Sequence, residues 1–194
     1  MPGIDTDHFD KVEVASQEEL RDWLTAHHGR TDAVWLVTWK KVRPDRYLPT
    51  GAVLDELLCF GWIDGVRRKL DDERTMQLIS ERRAQHWARS YKERAARLIE
   101  EGRMAPPGQA AIDRSKKEGL WNFMDDVDNL VIPDDLMAAL KPNEAALAFF
   151  MAINDSSKRF VLRWLKLTKT EATRRKRIAQ LVTLSARGEK LPGS

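Results

Sequence analysis

Asp64 stands in the stretch LCFGWIDGVRRKL, residues 58–70, between Trp62 and Gly65, with Arg67, Arg68 and Lys69 close behind. A carboxylate beside an indole and near cations can accept a hydrogen bond from a ligand or act as a base. Arg67, or Arg82 from the following segment, would orient it and keep it ionised, since an opposite charge at close range favours the charged form. Trp87 offers a second aromatic wall, and His86 beside it is a candidate proton carrier. These residues read as a ligand-binding corner: Gly61, Trp62, Asp64, Gly65, Arg67, Arg82, His86 and Trp87. A rival reading makes Asp64 and His86 the acid and base of an enzyme. The corner reading carries a sharp expectation. Asp64→Asn should fold with near-normal stability and lose binding, whereas a sealed ion pair would lose stability instead.

Other chemistries fare worse. The histidines are His8, His27, His28 and His86, and the adjacent pair points about 100° apart on a helix, so no metal site is expected. Cys59, the only cysteine, falls at a helix C-terminus, where a thiolate is disfavoured; burial is its expected role. Ser156 and Lys158 are two apart on a helix and do not face each other. No phosphate-binding glycine loop or dinucleotide fingerprint occurs, and no cofactor is expected.

The elements that must position the corner follow from periodicity. Ser16 to His28 reads as a helix, with Ser16 and Glu19 as a capping box and Leu20, Trp23 and Leu24 as its apolar stripe. Ala33 to Trp39 is a strand candidate, and Thr50 to Phe60 returns to helical spacing until Gly61. Trp62–Leu70 and Thr75–Ser80 read as two strands joined by the acidic turn DDER. Alternation places Trp62 and Asp64 on one face and turns Ile63 toward the core, while Gly65 permits a bulge. Beyond, Ser90 and Glu93 suggest a second capping box, Pro107 starts another helix, and four short helices follow: 134–141, 144–153, 156–167 and 171–186. The expected fold is α+β, a small, mainly antiparallel sheet with packed helices followed by an all-helical C-terminal region, divided as 1–125 and 126–194.

At 194 residues, 42% of them hydrophobic, the chain can bury a core without disulfides. It opens without a basic-then-apolar leader and has no apolar run of membrane-spanning length, so a cytoplasmic protein is expected. From Lys141 onward twelve Lys or Arg stand against four Asp or Glu, a net of +8 that leaves −5 for the rest. Arg163, Lys166, Arg174, Arg175 and Arg177 are the candidates for docking an anion or an acidic protein. No base-reading motif accompanies them, which disfavours nucleic acid.

Several segments together resemble a known family. FGWIDG, the segment WARSYKERAARLIEEGRM at 87–104, PPGQAAI at 106–112 and the tail WLKLTKTEATRRKRIAQLV at 164–182 are similar to the YdeI/OmpD-associated, or bacteriocin-protection, proteins. The resemblance implies a bacterial accessory protein linked to protection against bacteriocins or cationic peptides. It marks Gly61, Trp62, Asp64 and Gly65 as motif positions and brings no catalytic role with them.

Overall fold

The strand Val34–Trp39 is buried along its whole length and needs cover on both faces, and two different kinds of cover supply it. A computed structural model describes Thr6, residues 8–83 and residues 85–194. The chain divides into two compact units, Met1–Asn122 and Phe123–Ser194.

The first unit runs β1 (Lys11–Glu13), α1 (Gln17–His27), β2 (Val34–Trp39), α2 (Thr50–Cys59), β3 (Trp62–Lys69), β4 (Arg74–Glu81), α3 (Arg89–Glu100) and α4 (Pro106–Lys117). Its sheet has the order β1-β2-β4-β3; β1 lies parallel to β2, and the other two pairings are antiparallel. On one face Val34, Leu36, Ile79 and Trp62 pack with Leu20 and Leu24 of α1, Val53, Leu57 and Leu58 of α2, and Leu98 of α3. Alternation turns Trp35 and Trp39 to the opposite face. There guanidinium groups form the cover, Arg68 over Trp35 and Arg43, Arg46 and Arg74 over Trp39, each 5.1–5.5 Å from the ring centre.

The Ser16 cap forms, since Glu19 N donates to Ser16 Oγ (3.1 Å), while the Glu19 carboxylate accepts from Ala15 N (2.7 Å), one residue before the N-cap amide a capping box would use. The cap expected at Ser90 does not form. Trp87 N is tied to Leu120 O (3.3 Å), and the chain turns helical immediately after it, so Ala88 becomes the N-cap and Ser90 falls inside the first turn. The acidic turn is built by Asp71, whose Oδ1 accepts from the amides of Glu73 (2.9 Å) and Arg74 (2.6 Å).

The second unit is helical throughout: α5 (Asp125–Asp128), α6 (Asp134–Leu140), α7 (Glu144–Ala152), α8 (Asp155–Lys166) and α9 (Glu171–Ala186). Asn143, Asn154 and Thr170 cap α7, α8 and α9, each accepting from the amide three residues on. Leu136, Leu140, Phe150, Val161, Leu165 and Leu181 form a separate core. Among the described residues no helix is long and apolar enough to cross a membrane.

Candidate functional site

The glycines of the corner serve packing before anything else. Gly61 has φ +72°, and a Cβ there would lie 2.9 Å from Pro107 O and 3.1 Å from Ala111 Cβ. Gly108 answers it from α4, where a Cβ would sit 2.2 Å from Cys59 O. FGWIDG and PPGQAAI are therefore two halves of one contact, the end of α2 against the start of α4. Gly65 lies at the expected bulge, where the pairing shifts by one residue between Asp64 opposite Ile79 and Arg67 opposite Gln77.

That shift decides which side chains meet. Without it Asp64 and Arg67 would point to opposite faces; with it they share one, and Gln77 stands between them. Arg67 Nη2 donates to Gln77 Oε1 (2.6 Å), and Gln77 Nε2 donates to Asp64 Oδ2 (3.1 Å). Asp64 Oδ1 accepts from the Tyr91 hydroxyl of α3. Both carboxylate oxygens are thus occupied by the protein. Burial and this bond to Asp64 push the Tyr91 hydroxyl up to about 12.

The two tryptophans do not wall an open pocket. Trp62 is 1% exposed, sits edge-on to Trp23 at 5.6 Å, and donates its indole N–H to His28 O (3.1 Å). Trp87 is likewise 1% exposed. The face shared by Trp62 and Asp64 is the core face, so Ile63, expected to point inward, is the residue left half-buried on the other side. Arg82, 2% exposed, stacks between Trp87 (4.1 Å) and Tyr91 (5.1 Å), and its Nε and Nη1 find no partner among the described residues. Burial lowers its pKa, with the charge of Asp64 opposing that effect. His86 is half-buried beside Trp87.

The basic tail separates into spent and exposed cations. Arg174 binds Asp135 (2.5 and 2.8 Å), Lys166 binds Asp126 and lies over Phe123, and Arg177 stacks on Trp164 (4.6 Å) while donating to its carbonyl. Arg163 and Arg175 point to solvent. Taken over the whole second unit, twelve cations face nine carboxylates, because five of the acids precede Lys141.

The densest charge cluster escaped the sequence reading. Asp55 and Glu56 lie in the middle of the apolar helix α2, Glu56 only 1% exposed. Glu56 accepts from Gln17 (2.6 Å), Arg21 (2.8 Å) and Arg103 (2.8 Å); Asp55 accepts from Arg94 and Arg97. Burial alone would raise the Asp55 pKa, but the bonds from Arg97 and Arg94 bring it below the usual value. The EGRM segment thus acts through Arg103, which closes the cluster. A DE pair inside GAVLDELLCF was the only available signal. Cys59, next to this pair, is fully buried, and burial with the Glu56 charge pushes its thiol up to about 11. Its labelling by a disulfide reagent at pH 7 is expected to be at least about 100-fold slower in the native protein than in urea. Equal rates would contradict the burial.

Arg67 reaches open space. A cavity of about 190 Å³ lies at the first turn of α2, lined by Arg67 with Lys40 and Lys41, and by the hydroxyl residues Thr38, Tyr47, Thr50 and Thr75. Arg67 Nη1 donates to Thr50 Oγ1 (3.2 Å), so the Asp64–Gln77–Arg67 relay ends at its wall. No group of His, Cys, Asp or Glu suited to a metal occurs among the described residues.

Residues 129–188 match the family model described as bacteriocin-protection, YdeI or OmpD-associated, so a domain of that class occupies the helical tail. Residues 12–111, just over half of the chain, match a domain of unknown function (DUF8412), and the chain belongs to that family. FGWIDG and most of the EGRM and PPGQAAI contact therefore fall under the second match, not the first. No curated protein and no solved structure matches the chain.

Proposed function

We propose that the protein acts by binding, as an accessory protein of the bacteriocin-protection type, and that its ligand enters at the Arg67 end of the corner. The observation that carries this reading is the relay itself. The bulge places Arg67 at the mouth of a cavity, and Gln77 and Asp64 hold it there from behind. Such backing fixes the guanidinium before a ligand arrives, which reduces the ordering cost of binding. Trp62 and Trp87 support the corner from the core, and Asp64 serves as the anchor of Arg67. The exposed Arg163 and Arg175 of the helical tail suit a second contact, with an acidic protein surface.

The test is a bacterial strain sensitive to a bacteriocin or cationic peptide, complemented with wild type, Arg67→Gln or Arg175→Gln. Arg67→Gln is expected to abolish protection while leaving the melting temperature within a few degrees of wild type. Full protection by a folded Arg67→Gln protein would refute the site.

A further inference from the structure

The cavity beside Arg67 differs in charge from others on the same unit. Four other cavities each carry at least one carboxylate: Asp32 and Glu81, Glu13 with Glu19 and Asp45, Glu81 alone, and Asp10 with Asp32. The lining of this one holds three cations, four hydroxyl residues and no acid. Lys40 is engaged with the carbonyls of Asp71 and Asp72, whereas Lys41 is exposed and Arg67 faces the space.

One further observation points the same way. The first turn of α2 has neither a side-chain cap nor an acidic residue, and Pro49 at the N-cap has no hydroxyl or carboxylate to give. Thr50, the first residue of that turn, is part of the lining, so the positive end of the helix dipole lies beside the cavity.

We infer that the cavity binds a phosphate group, carried by a small molecule or free. Resting on the binding role assigned to Arg67 above, this names the ligand class. The donors on offer are the Arg67 guanidinium, the Lys41 ammonium and the Thr38 and Thr50 hydroxyls. They outnumber what the two oxygens of a carboxylate accept and suit the tetrahedral set of a phosphate. Thr50 accepts from Arg67, which leaves its own hydrogen free to donate. A space of about 190 Å³ admits a phosphate with a short organic group.

Calorimetric titration of the full chain with inorganic phosphate, phenyl phosphate and acetate, at matched ionic strength, tests this. Both phosphates are expected to bind and acetate to give no heat. Arg67→Gln and Lys41→Gln should each weaken phosphate binding at least about tenfold. Tighter binding of phenyl phosphate than of inorganic phosphate assigns the group to an organic carrier; the reverse assigns it to the free ion. No binding of either phosphate overturns the inference. So does binding that survives Arg67→Gln and Lys41→Gln but is lost in Arg163→Gln or Arg175→Gln, which would move it to the helical tail. Lys41 is exposed, so its variant keeps the test valid if Arg67→Gln disturbs folding. The two readings fail separately. Protection lost in Arg67→Gln without any phosphate binding removes the ligand class alone, and phosphate binding with protection intact in Arg67→Gln removes the functional reading alone.

Discussion

Gly108→Ala is expected to destabilise the first unit by at least about 3 kcal/mol, in a helix where alanine would ordinarily be the better residue. The added Cβ would sit 2.2 Å from Cys59 O, 2.6 Å from Cys59 C and 2.6 Å from Met104 Sδ. The sulfur can move, but the carbonyl cannot. Cys59 O already accepts from Ala105 N (3.1 Å), the residue that starts α4, so relief of the clash must lift α4 and strain that bond. Gly51→Ala is the control. It lies in the first turn of α2 with nothing within 4 Å of its Cβ, and is expected to gain up to about 1 kcal/mol from reduced freedom of the unfolded chain. Urea unfolding followed by tryptophan fluorescence reads the first unit, because six of the seven tryptophans fall within residues 1–122. Wild-type stability in Gly108→Ala would mean that α2 and α4 do not approach as closely as described.

Much of this fold was legible in the sequence, and the failures have physical causes. Periodicity and caps located β2, α1, α2 and the helices of the tail, because each carries its own stripe and its own stop signal. β1 has only three residues, too few to show alternation, and exists because β2 pairs with it in parallel. α5, with four residues, has the same excuse. The corner was half legible. Alternation correctly put Trp62 and Asp64 on one face, but the identity of the core face depends on what covers the sheet, and Trp23 and Tyr91 are supplied by α1 and α3. Parity also misleads beyond Gly65, because the bulge carries Arg67 to the face of Asp64. The Asp55–Glu56 cluster could not be read at all. Arg103 lies 47 residues from Glu56, and in the sequence the acids look like interruptions of an apolar stripe.

Asp64→Asn is expected to cost about 2 kcal/mol, against the mild effect that a pocket carboxylate would show. The relay explains why. Gln77, 7% exposed, gives its amide nitrogen to Asp64 and its oxygen to Arg67. If the introduced amide nitrogen faces Gln77, two donors oppose each other, and turning Gln77 over sets its nitrogen against Arg67. The remaining arrangement points the new nitrogen at Tyr91, whose hydroxyl must reverse and lose its acceptor. Every choice leaves one buried group unmet, and Arg82 loses the negative charge that offsets its burial. Adding Gln77→Glu repairs the pattern, since a carboxylate at position 77 accepts from Arg67 on one side and from the introduced amide on the other. It also returns a negative charge to the cluster. The double variant is therefore expected to recover more than half of the loss, a coupling of about 1–2 kcal/mol in a double-mutant cycle. Gln77→Glu alone should destabilise, because it sets two carboxylates against each other in a half-buried site. Additive losses would show that Asp64 and Gln77 act separately, and the relay that holds Arg67 at the cavity would fall with them.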